Sequence, residues 1–343
     1  MDLKSFKELF DKHLDSYLSN KINQSIDIVQ NQRLASVLQH IHTITFAGGK
    51  RIRPYCFFMW YAIYQKEPNN DVMQFAILFE LLHTMALIHD DIIDEAEKRH
   101  NVATIHHLLQ EQKISRRIAE WQAILAWDIL LARVYEILME PYNTNPQNHL
   151  RAQHTVHTMI QEVILGEMID VDLAVGEKAS RETIERKNLY KTARYTFARP
   201  LIAGAQRAGA SQEQINLLQQ IGELLWLAYQ TRDDLIDILE TETDKTTFYD
   251  IQEWQQTILT NYIQTHENIW YRELLESSLG KELTQEQIKE LKIMFAESGA
   301  IDFARGKIAV YIQDATALLE QINFQNNNIR WYIEQLIEKL TMI

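Results

Sequence analysis

Apolar residues recur at helical spacing along nearly the whole chain, with polar joints between the runs, and few stretches alternate as a half-buried strand does. The most apolar run, residues 72–88, is hydrophobic almost all round, which predicts a buried helix instead of a surface one. Residues 221–227 form a second such stretch. The joints are legible as well. Gly48-Gly49, closing the N-terminal amphipathic part, predicts a helix end and turn, and Pro54 suits the first residue of a new helix. Pro68-Asn69-Asn70 predicts a turn, residues 95–101 a charged loop or frayed helix end, and residues 141–148 another loop. Ser115 reads as a helix cap, Gly176 as an end, and Ser180 as the start of a helix carrying Lys191-Thr192 and later Pro200. Ser211-Gln212-Glu213-Gln214 and Thr284-Gln285-Glu286-Gln287 have capping-box spacing. The pattern as a whole predicts an all-α protein.

Composition sharpens this. The 343 residues include only 10 Gly and 5 Pro and are 46% hydrophobic, as suits a helical chain with a large core. The length alone would allow two domains, but one domain over 1–343 is expected, because two acidic motifs far apart in sequence have to meet. The single Cys56 leaves no internal disulfide framework and fits a reducing, cytoplasmic setting. The charged N-terminus lacks the apolar core of a signal peptide. No uninterrupted apolar stretch reaches the roughly 18 residues of a membrane span. A net charge of −13 argues against nucleic-acid and anionic-lipid surfaces, so any anion site has to be a local basic pocket.

Both apolar runs lead into acid: Asp90-Asp91-Ile92-Ile93-Asp94 and Asp233-Asp234-Leu235-Ile236-Asp237. Positions i and i+4 share a helix face, so Asp90 and Asp94 should point the same way. Like charges about 4 Å apart repel by about 4 kcal/mol at an effective dielectric near 20, and the helix dipole opposes carboxylates at this end. A cation should compensate, and oxygen-only donors suit a hard ion such as Mg²⁺ together with substrate phosphates. Elsewhere, Lys50 and Arg53 flank the start of the helix at Pro54, where free amides and the positive dipole end make an anion site.

Gly48-Gly49-Lys50-Arg51-Ile52-Arg53-Pro54, the two acidic motifs, Lys191-Thr192-Ala193 and Ser298-Gly299-Ala300-Ile301 together resemble the trans-isoprenyl diphosphate synthases, the polyprenyl synthetase family. The resemblance implies an all-α bundle around a deep cavity, usually a homodimer, with three Mg²⁺ ions bridging the aspartates to an allylic diphosphate (dimethylallyl, geranyl or farnesyl). It implies ionisation, attack by isopentenyl diphosphate and loss of a proton. By position, Asp90, Asp94 and Asp233 resemble direct metal ligands, and Asp91, Asp234 and Asp237 resemble ligands acting through water or from behind. Arg99, Lys191, Thr192, Gln230 and Lys245 resemble the allylic diphosphate site, and Lys50, Arg53 and His83 the isopentenyl diphosphate site, with His100 beside them.

Several positions depart from the family's pattern. His100 stands where a second arginine is usual, Trp127 replaces a glycine before Asp128, and Glu167 replaces the glutamine after Gly166, with Asp170 in register. Trp254-Gln255 lacks a lysine common after Lys245, which removes one phosphate-contacting cation. Met85 and Ala86 fall where the family sets product length. With the geranylgeranyl-like stretch from Lys191 to Thr196 and Pro200-Leu201, they point to a C20 product, with C15 or C25 as neighbours. A non-catalytic subunit of a heteromeric synthase is the main rival. A di-iron bundle would need a second copy of Glu80-Leu81-Leu82-His83, and a class I terpene cyclase would lack the second aspartate motif.

Overall fold

The computed structural model describes residues 1–64, 69–142, 145–173, 181–239, 248–252, 254–255, 257–322, 324 and 327–341. Helix α1 (Leu3–Val29) begins where Asp2 accepts from the Ser5 amide, and α2 (Gln32–Phe46) where Asn31 accepts from the amides of Arg33 and Leu34. The chain then turns through Gly48 and Gly49, whose φ values of 132° and 87° lie in the region glycine tolerates. Helix α3 (Ile52–Tyr64) starts two residues before Pro54. Asn69 caps α4 (Asn70–Ile93), which ends at the first acidic motif with Asp94 as its C-cap.

The segment after α4 is not a frayed end. It is a short antiparallel hairpin of β1 (Lys98–Arg99) and β2 (Val102–Ala103), the one sheet among the described residues. His100 and Asn101 both have positive φ, the tight-turn geometry that matches strand twist. Helices α5 (Ile105–Glu111), α6 (Arg116–Met139) and α7 (Pro146–Leu173) follow. Gly176 and Ser180 lie outside the described residues. The next helix, α8 (Arg181–Asn188), does not run on as an α-helix through Lys191: residues Leu189–Ala198 form a π-helix before α9 (Arg199–Arg207).

Helix α10 (Gln212–Leu239) carries the second acidic motif at its far end, and its start has the reciprocal Ser211–Gln214 hydrogen bonds of a capping box. Next come α11 (Tyr249–Gln252), α12 (Ile258–Gln264), α13 (Ile269–Ser278), α14 (Gln285–Glu297), α15 (Ala300–Leu319) and α16 (Asn327–Thr341). The box at Thr284 and Gln287 opens α14 as its spacing predicts.

The all-α expectation holds. One apolar cluster joins α1–α4, α6, α7, α9 and the first half of α10, with Phe57, Phe75 and Phe79 in mutual ring contact. Each such fully buried side chain contributes about 1.5–3 kcal/mol. A second cluster joins the end of α10 to α11–α15, so α10 serves both. Helix α4 is long and apolar enough to cross a membrane, but 72% of its most apolar window is buried within the protein, as in a core helix.

Candidate functional site

The last turn of α4 divides its carboxylates. Asp91 is buried, and Arg99 Nε donates to its Oδ1 at 2.6 Å; its Oδ2 has no partner among the described residues. Asp90 faces Lys191, whose Nζ is 3.9 Å from Oδ1, and Asp94 is exposed. Burial pushes the Asp90 carboxyl above its usual range despite Lys191 and Arg99, and Asp94 and Asp91 add to the effect.

In α10, Asp234 is buried, accepts from Gln230 Nε2 at 2.7 Å, and is pushed up to about 7, chiefly by burial. Asp233 lies beside Arg232 at 3.3 Å and takes a hydrogen bond from Tyr229. Both oxygens of Asp237 accept backbone amides, from Tyr249 at 3.0 Å and Asp250 at 3.2 Å, so this carboxylate holds the start of α11. Lys245 lies outside the described residues.

The π-helical segment carries Lys191, the partner of Asp90. It packs on α7 and on α10, and glycine makes both approaches possible. A Cβ at Gly166 would lie 2.4 Å from Lys191 N, and one at Gly222 would lie 2.8 Å from Ala198 Cα. Lys191 reaches Glu167 at 2.9 Å and Asp170 at 2.5 Å as well as Asp90. Thr192, partly buried, follows on the same segment. Arg53 of α3 donates to Thr196 Oγ1 at 2.9 Å and lies over the Tyr195 ring at 4.3 Å. Its charge is felt at Tyr195 and, across the site, at Tyr229 beside Asp233.

A second group of cations gathers at the glycine turn. Arg51, in left-handed backbone, donates to Asp11 at 2.7 Å and to Glu80 at 2.5 Å, tying the turn to α1 and α4. That pairing also removes Glu80-Leu81-Leu82-His83 as a metal-binding pair. The His100 ring packs on Gly48, 3.3 Å from where a Cβ would stand, and Lys50 is exposed. Burial, then Arg53, Arg51, Arg99 and His100, push the His83 imidazole well down, so it is neutral and offers hydrogen bonds instead of charge. Arg53, His83, Arg99 and His100 are thus neighbours, with the exposed Lys50 next to Arg51 in the chain.

Several departures find a physical account. Trp127 stacks on His89, rings 4.3 Å apart and 6° from parallel. Gln255 accepts from Lys187 Nζ at 2.8 Å, so a cation reaches position 255 from another helix. Met85 is buried at 2% exposure; Ala86 lies on Asp90's face one turn earlier. Sequence reasoning missed Arg51, Lys187 and the Glu162–Arg194–Arg199 cluster; only the closeness of Arg51 to Lys50 and Arg53 offered any signal.

The donor set suits a hard divalent ion: carboxylate oxygens from two helices, with a buried Asp91 oxygen unpartnered. Among the described residues no three His, Cys, Asp or Glu side chains are grouped so as to hold a metal ion by themselves. Open pairs of carboxylates fit an ion that takes its remaining oxygens from water and phosphate.

Known proteins resemble this one over the same span. A short chain isoprenyl diphosphate synthase of Methanocaldococcus jannaschii is 27% identical over 285 residues, covering 82% of this chain and 81% of that one. A geranylgeranyl diphosphate synthase of Methanosarcina mazei is 25% identical over 317 residues, 90% of each. Among solved structures, a geranylgeranyl pyrophosphate synthase of Corynebacterium glutamicum, complexed with isoprenyl diphosphate and magnesium, superposes with a TM-score of 0.87 at 26% identity over 99% of both chains. The polyprenyl synthetase model matches residues 33–295, and the chain belongs to that family.

Proposed function

We propose that residues 1–343 act as one unit, condensing isopentenyl diphosphate with an allylic diphosphate to a twenty-carbon all-trans product with Mg²⁺. Membership of the family already makes the chain a trans-prenyltransferase. The observation that supports the finer reading is the Lys191–Asp90 pair on a π-helical segment that also packs against α10, the helix that ends in the second motif.

Asp90, Asp94 and Asp233 would hold the ions, with Asp91, Asp234 and Asp237 fixed behind them by Arg99, Gln230 and the α11 amides. Bound there, the ions supply positive charge to the departing diphosphate. Lys191, Thr192, Arg99, Gln230 and Lys245 orient that diphosphate. Lys50, Arg53, His83 and His100 take the second substrate, with His83 a neutral donor. The apolar walls of α3 and α4 keep water from the allylic cation. The product length follows the relatives named for geranylgeranyl diphosphate and the modest size of Met85 and Ala86.

A second copy would cover α6, where Ile118, Trp121 and Leu125 share a face and are 48%, 50% and 57% exposed. A silent subunit is the weaker reading, since both motifs are present and the first has its arginine and lysine partners. The test is mass spectrometry of products from the purified chain with isopentenyl diphosphate, an allylic primer and Mg²⁺. A twenty-carbon diphosphate is expected; no product with any primer would overturn the reading.

A further inference from the structure

Two ammonium groups share one carboxylate at the edge of this site. Asp170 on α7 meets Lys191 Nζ at 2.5 Å with Oδ2 and Lys187 Nζ at 3.1 Å with Oδ1. Lys187 is on the last turn of α8, its side chain only 9% exposed, and it also donates to Gln255 Oε1 at 2.8 Å. Burying an ammonium is costly unless its charge is answered. Here the answer is shared: Asp170 is divided between two cations, and the other partner of Lys187, Gln255, is neutral. Glu167 and Asp90, 2.9 and 3.9 Å from Lys191, meet that lysine, which leaves Asp170 as the carboxylate paired with Lys187 among the described residues.

An ammonium has three N–H groups, and the described residues occupy two of those on Lys187. The group also stands next to the reacting region, because its neighbour Lys191 reaches Asp90. A polyanion with oxygens on two centres can meet both ammonium groups at once, which a single carboxylate cannot do as well.

We propose that Lys187 is a second ammonium of the diphosphate site, delivered from α8 and hung between Asp170 and Gln255, so that an allylic diphosphate at Lys191 also bonds Lys187. This rests on the substrate reading above. The experiment measures steady-state kinetics with farnesyl and isopentenyl diphosphates on Lys187→Gln, Gln255→Lys and the double variant. Lys187→Gln should raise KM for farnesyl diphosphate about tenfold, leave that for isopentenyl diphosphate within about twofold, and keep the Tm. Adding Gln255→Lys returns the cation from the other side and should recover most of the loss. An unchanged farnesyl KM in Lys187→Gln overturns the assignment. So does a loss of activity and Tm that the double variant leaves unrepaired, since that marks a structural lysine. If the wild type makes no product, the substrate reading fails, and calorimetry with magnesium pyrophosphate still decides this point. Weaker binding by Lys187→Gln upholds it; equal or absent binding by both proteins sinks it.

Discussion

Gly166 and Lys191 touch backbone to side-chain position: a methyl group on Gly166 would stand 2.4 Å from the Lys191 amide nitrogen and 2.8 Å from its Cα. Glycine at 166 therefore lets α7 close on the π-helical segment, and a π-helix shifts the phase of side chains that follow it. Gly166→Ala should push the segment outward, costing about 1–3 kcal/mol of stability. It should also lower kcat by about 10- to 100-fold, as misplacement of a positioning group does. Thermal melts and kinetics on the same sample check both.

Asp90 should matter to turnover and not to folding. Burial already disfavours its charged form, with Asp94 and Asp91 adding repulsion. Asp90→Ala should cut turnover at least about 100-fold while leaving the Tm unchanged or higher. Near-normal turnover would remove Asp90 from the metal-holding set.

Product length should respond to Met85, which is buried at 2% exposure in the run leading to Asp90. Each five-carbon unit buries apolar surface worth roughly 4 kcal/mol, so a larger ring in its path outweighs the gain from extension. Met85→Phe should shift the product mixture to a shorter chain by mass spectrometry; an unaltered mixture would exclude Met85 as the stop.

Glu162 links α7 to the π-helical segment and α9, accepting from Arg194 at 2.7 Å and from Arg199 at 2.6 and 2.7 Å. Burial alone would raise its pKa, but Arg199 and Arg194 outweigh it and hold the carboxyl below its ordinary 4.5. A depressed folded pKa stabilises the protein above the unfolded value, and that contribution is lost as pH falls through the folded value. Glu162→Gln should therefore lose about 3 kcal/mol near neutral pH. Its Tm deficit should shrink toward zero as the buffer is taken below 4.5. A deficit independent of pH would assign the loss to packing.

The exposed face of α6 should be an assembly surface. Trp121→Glu with Leu125→Glu should convert a dimer into a monomer by light scattering, since both side chains are half exposed in the single chain. A monomeric wild type would end that assignment.

Helix class, the apolar run from 72 to 88, the glycine turn, the capping boxes and both aspartate motifs were all local patterns, and local patterns are what helical periodicity and caps encode. The sequence also put Asp90 and Asp94 on one face, because spacing alone decides that. It could not show the π-helix, which is packed against two glycines 56 residues apart in sequence, Gly166 and Gly222, that admit close neighbours on either side. Nor could it name the side chains and amides that the aspartates meet within the protein. Asp91 and Asp237 were turned to Arg99 and to backbone amides by elements that follow them in the chain. Lys187 gained its place beside Gln255 in the same way. Which charges answer one another is a matter of distance through space, and only the packed helices set those distances.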